Sequence, residues 1–146
     1  MTTAFVGDAK VAILICADAR SLTLMKAVRR ERVNVVLASL ADYGTSLRLN
    51  QIMGAFFDAW TLIANRYGEE PPHMWHGLIT ITDPWARLRA SGMGKEHILV
   101  RRIPISRPTE ASRWMRRILV GFKFLELVAL LMIQTGWRTF KKRSTS

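Results

Sequence analysis

The 146-residue chain holds a single cysteine, three histidines and only eleven acidic residues. One cysteine excludes an intramolecular disulfide. Cys16 lies in an apolar run, where a small buried thiol in a reducing compartment is expected. His73-Met74-Trp75-His76 has a two-histidine spacing near Glu69 and Glu70, but only His97 and Cys16 remain as further nitrogen or sulfur donors. A tetrahedral zinc site needs four ligands, so neither a metal nor another cofactor is expected. The same scarcity argues against a Ser-His-Asp or Cys-His device. Glycine is missing from Cys16-Ala17-Asp18-Ala19-Arg20-Ser21, the stretch after the first apolar run. A pyrophosphate-binding turn needs glycine there for close backbone approach, and no Walker-type loop occurs elsewhere. A signal peptide is not apparent either, because residues 1–10 are polar and include Asp8, and the apolar run from Val11 is short. A cytoplasmic, non-secreted location is expected, with membrane association left open.

Basic charge is plentiful. Lys and Arg number 22 against 11 Asp and Glu, a net +11. Residues 1–100 carry 11 against 9 and residues 101–146 carry 11 against 2, so the excess is +2 in the first part and +9 in the second. A field concentrated in this way attracts phosphate backbones or anionic headgroups. Its blander reading is a solvated face that aids solubility.

Lys10–Ala17 and Val33–Leu40 are short apolar runs suited to buried strands, and Ser21 or Asp18 caps a helix between them that ends near Arg32. From Thr45 or Ser46, the residues Leu49, Ile52, Met53, Phe56, Trp60, Ile63 and Tyr67 fall on one helical stripe, with Gly68 as a C-terminal cap. Glu69–Pro72 reads as a turn, Leu78–Thr82 as a strand, Pro84–Ser91 as a short helix and His97–Ile105 as an edge strand. The expected fold class is α/β or α+β: a small mixed sheet of about four short strands with covering helices and a long basic-apolar C-terminal helix. Residues 1–112 form the core domain, and 113–146 form the helix, within the same domain.

Residues Ile118–Trp137 are mostly apolar and lie between Arg113, Arg116 and Arg117 on one side and Arg138, Lys141, Lys142 and Arg143 on the other, with Trp114 and Trp137 just inside the flanks. Twenty helical residues span about 30 Å, the thickness of a hydrocarbon core. Their apolar side chains favour insertion by about 4–7 kcal/mol, and Lys123 with Glu126 nearly cancels that gain. A peripheral helix or one packed on protein therefore fits better than a span.

The leading expectation is a non-enzymatic, membrane-associated coat, matrix or accessory protein. It binds an anionic surface through Arg113, Trp114, Arg116, Arg117, Trp137, Arg138, Lys141, Lys142 and Arg143, and self-associates through exposed apolar surface. The alternative is a nucleic-acid-binding protein in which residues 74–107 form a winged-helix-like segment. Arg87 and Arg89 then approach a groove, and Arg101, Arg102 and Arg107 contact phosphates. A third expectation is a small α/β enzyme with a site at strand C-termini, built from Asp18, Ser39 and Asp83. Local helix caps and turns account for those three residues equally well.

Overall fold

The computed structural model describes residues 1–41, 47–94, 97–105, 111–122, 125–126 and 128–129. Strand β1 (Thr2–Val6) leads into β2 (Ala9–Ile15), followed by a 3-10 turn (Cys16–Arg20) and helix α1 (Leu22–Arg30). Then come β3 (Val35–Leu40), α2 (Leu47–Phe57), β4 (Trp60–Asn65), β5 (Tyr67–Glu70), β6 (His73–His76), β7 (Ile79–Thr82) and β8 (Leu88–Gly92). A further helix, α3, covers 111–122. The fold is α/β, with six strands in the main sheet in the order β1-β2-β3-β4-β7-β8 and β5-β6 as a separate hairpin.

The central strands β2, β3 and β4 are parallel, and β1, β7 and β8 join antiparallel. Parallel neighbours need crossovers, which α1 and α2 supply. Alternation along each strand divides the side chains between two faces. Ala12, Leu14, Val36, Ala38, Leu40 and Ile63 pack against Val28 of α1 and against Met53 and Phe57 of α2, so both helices cover one face. On the other face Val11, Val35, Trp60 and Leu62 form a smaller cluster. Towards the strand C-termini that face is uncovered: Ile13 is 43% exposed and Ile15 65%.

The β-α-β rhythm expected from the first forty residues is present. Ser21 caps α1 by accepting from the Leu24 N–H at 3.4 Å, and Arg29 and Arg30 occupy its last turn, where cations complement the helix dipole. The second expected helix is shorter than its apolar stripe. It ends at Phe57, Asp58 turns the backbone with a φ of +56°, and Trp60 and Ile63 lie on β4, with Tyr67 on β5. β4 carries apolar residues on both faces, buried on one and half-buried on the other, and here that run imitates the helical period.

Glu69–Pro72 is the turn region of the β5-β6 hairpin. Pro84–Ser91 is not a helix: a tight turn, in which the Asp83 carboxylate accepts from the Trp85 and Arg87 N–H groups at 2.8 and 2.9 Å, leads into β8. The stretch 97–105 has no regular secondary structure, where a strand was expected.

Helix α2 meets the sheet through a buried polar seam. Asn50 donates to Thr80 Oγ1 at 3.2 Å, and the Thr82 hydroxyl lies 3.4 Å from the carbonyls of Asn50 and Thr61. Gly54 permits this approach, since a Cβ there would stand 2.6 Å from Thr82 Oγ1 and 3.0 Å from the Asp83 carbonyl.

Candidate functional site

The parallel strands give the sheet two chemically different ends. At the C-terminal end, β2 stops at Ile15 and the chain turns abruptly at Cys16, whose φ is +48°. A non-glycine residue rarely adopts that conformation, which costs on the order of 1–2 kcal/mol and is concentrated at functional sites. The turn is closed locally. The Ile15 N–H points to Asp18 Oδ2 at 3.4 Å, and the Ser21 N–H donates to the Asp18 carbonyl at 3.2 Å. Ser39 follows on the neighbouring strand, paired with Ile15 in the parallel register. Cys16 is a free thiol and exposed, not the buried one expected from its apolar surroundings. The run stops being buried at its last residues because the strand ends and the second sheet face is uncovered there.

The third member of the expected enzyme triad is elsewhere. Strand β7 runs antiparallel to β4, so Asp83 emerges at the opposite end of the sheet, beside the strand N-termini. It is buried and held by Arg89, whose Nε donates to Oδ2 at 2.8 Å. Asp18 and Ser39 therefore share one end, and Asp83 belongs to the other.

That other end opens into a cleft of about 1270 Å³, walled by residues from the ends of α1 and α2, the turn before β8, and α3. Arg87, Arg89, Arg113, Arg116 and Arg117 all line it, so arginines from the two competing expectations converge in one place. Their roles differ from those expected. Arg116 is 8% exposed, donates to Asp58 Oδ1 at 2.5 Å and lies over the Trp85 ring at 5.0 Å. Arg113 reaches the same carboxylate at 3.9 Å. Trp114 is exposed. Burial shifts the Arg29 pKa downward, with the positive charge of Arg117 adding to the effect and Asp58 opposing it.

These positions differ from those that both anion-binding readings assign to the residues concerned. Arg116, expected to face a membrane surface, is turned inward onto Asp58. Among the described residues no helix is long and apolar enough to cross a membrane. Trp137, Arg138, Lys141, Lys142 and Arg143 lie outside the described residues. In the winged-helix reading Arg87 and Arg89 need a recognition helix, but Arg87 is in a turn and Arg89 on strand β8, bonded to Asp83. Arg101 and Arg102 are exposed in an irregular stretch, and Arg107 lies outside the described residues. No group of three or more potential metal ligands occurs among the described residues.

The arrangement thus defines an α/β chain with a parallel sheet centre and a strained cysteine at a strand C-terminus. Proteins of known structure share this fold. An amidase from Nesterenkonia sp. AN1 matches with a TM-score of 0.63 at 19% identity, over 78% of this chain and 44% of that one. A mutant of the Nesterenkonia AN1 amidase described as belonging to the nitrilase superfamily matches with a TM-score of 0.56 at 17% identity, over 64% of this chain and 37% of that one. A glutamine-dependent NAD+ synthetase from Acinetobacter baumannii matches with a TM-score of 0.61 at 14% identity, over 86% of this chain and 27% of that one. At these identities the likeness is one of fold, and the chain spans less than half the length of each neighbour. No protein-family model and no characterised protein sequence matches the chain. The fold is one used by enzymes, which replaces the expectation of a non-enzymatic surface-binding protein.

Cys16 is missing from the expected sites because its apolar run suggests a buried thiol and the few histidines argue against a Cys-His device. The available signal was positional. The chain's one thiol stands where an apolar strand run gives way to a capped helix, and ligands of parallel sheets bind at that end.

Proposed function

We propose that the chain carries the nucleophile-bearing part of a cysteine-dependent amide hydrolase, with Cys16 as the nucleophile. The observation that carries this reading is the exposed Cys16 thiol on a positive-φ turn at the C-terminus of a central parallel strand. Support comes from the amidase neighbours, one of which is described with the acetamide moiety of fluoroacetamide added covalently at its active site cysteine. Small primary amides are the corresponding substrate class for this chain.

In the reaction, the thiolate sulfur of Cys16 attacks the amide carbon and the carbonyl oxygen becomes an oxyanion. Collapse of the intermediate breaks the C–N bond, and ammonia leaves with a proton from a general acid. Water then cleaves the thioester to release a carboxylic acid and the thiol. The turn serves the first step by projecting sulfur clear of the strand end. Asp18 is a positioning residue, since its carboxylate and carbonyl both fold back on the turn that holds Cys16. A reducing, cytoplasmic setting keeps such a thiol free.

The test is alkylation by iodoacetamide followed by intact mass, compared at the same pH with glutathione. Modification of Cys16 faster than glutathione, and none in C16A, is the expected result. A rate at or below that of glutathione overturns the reading.

A further inference from the structure

The cleft at the strand N-termini gathers more cations than its ion pairs use. Of its acids, Glu31 is bonded to Lys10, Asp83 to Arg89, and Asp58 to both Arg113 and Arg116. Asp8 is the remaining acid on its walls. Against it stand Arg29, Arg30, Arg32, Arg87 and Arg117, which form no ion pair with a described residue. Five cations less one acid leave a surplus of four positive charges. The C-terminal dipole of α1 accounts for Arg29 and Arg30 in its last turn. No such local reason applies to Arg87, on the turn before β8, or to Arg117, on α3.

Arg30, Arg32, Arg87 and Arg117 are exposed, as contact with a partner requires. Between the cations the walls are apolar, with the half-buried rings of Trp60 and Trp85 beside Pro84, Pro104 and Ile105. Arginine and aromatic side chains are the residue types enriched where proteins bind one another. The volume of about 1270 Å³ exceeds the range of roughly 300–1,000 Å³ usual for small-molecule sites.

We infer that this cleft is a docking surface for an acidic segment of another polypeptide, in which Asp or Glu residues are interleaved with apolar ones. The carboxylates meet Arg30, Arg32, Arg87 and Arg117, and the apolar side chains meet Trp60 and Trp85. Charge complementarity sets the sign of the partner, and the recessed apolar walls set its kind. A flat anionic surface reaches only the rim, whereas a peptide enters the cleft. The surface lies at the opposite end of the sheet from Cys16 and does not depend on the role of that thiol.

The test is fluorescence anisotropy of a labelled ten-residue peptide of alternating aspartate and leucine, titrated with the full chain. It is run at an ionic strength of about 0.15 M, where the general field of a basic protein is screened beyond about 8 Å. Saturable binding is expected, and none by the same peptide with asparagine in place of aspartate. R87E/R117E should weaken binding by roughly tenfold or more. R101E/R102E makes the same change of net charge at two exposed arginines outside the cleft and should leave the affinity within about twofold. R30E/R32E should reproduce the loss from another wall, so that a folding defect in one variant does not decide the result. No saturable binding by the wild type, equal affinities for R87E/R117E and R101E/R102E, or equal binding of the asparagine peptide would overturn the inference. Tighter binding of a short DNA duplex or of phosphatidylglycerol vesicles, lost in R87E/R117E, would overturn the choice of a polypeptide.

Discussion

Arg116 Nη1 donates to Asp58 Oδ1 at 2.5 Å across 58 positions of sequence, and this contact docks α3 onto the turn that ends α2. Both groups are largely shielded from water, with side-chain exposures of 10% and 19%. Breaking such a pair from one side leaves a desolvated charge behind. Here the stranded charge is positive and already stands near Arg113.

D58N keeps a residue that tolerates the left-handed backbone at this position but removes the anion. It should cost about 3 kcal/mol of stability. R116M removes the cation and keeps the apolar contact with Trp85, so it should cost less. Urea denaturation of the two variants checks the order, and a D58N no less stable than R116M contradicts it.

Strain at Cys16 is measurable without a substrate. At a φ of +48° alanine retains the Cβ clash and glycine removes it. C16G should therefore melt above C16A, by a difference of about 1 kcal/mol at the transition. Equal melting temperatures would mean that the turn is not strained.

Gly54 tests the seam between α2 and β7. An alanine Cβ would meet Thr82 Oγ1 at 2.6 Å and backbone at 3.0 Å, so G54A should destabilise by about 1–3 kcal/mol despite the better helix propensity of alanine. A stabilised G54A in thermal unfolding would show that the helix shifts freely.

The Lys10–Glu31 pair sets a pH dependence. A hydrogen bond from Lys10, together with its charge, lowers the Glu31 carboxyl from its ordinary value of 4.5. A depressed folded-state value means that the contribution is complete above the unfolded pKa and is lost as pH falls through the folded one. NMR titration of the Glu31 carboxyl should give a midpoint below 4.5 in the wild type and a higher one in K10M. An unchanged midpoint in K10M would remove Lys10 as the cause.

Much of the first half was legible in the residues. Short Val-rich runs, a serine cap and arginines at a helix end each act through neighbours in sequence, and they determined β2, α1 and β3. The α/β class followed from their alternation. Where a pattern has two physical causes the reading failed. Trp60 and Ile63 continue a helical period but belong to a strand with apolar residues on both faces, and only the turn at Asp58 separates the two.

Function depended more on tertiary structure. Cys16 sits in an apolar run whichever way the chain folds, and its exposure arises because β2 ends there with one sheet face uncovered. The arginines were equally visible as a basic composition, without any indication of what they face. Net charge is a property of the sequence and acts at long range, whereas an ion pair requires two atoms to meet. The fold buries Arg116 against Asp58 and leaves Arg117, the next residue, exposed at the cleft wall, a division that no count of charges contains.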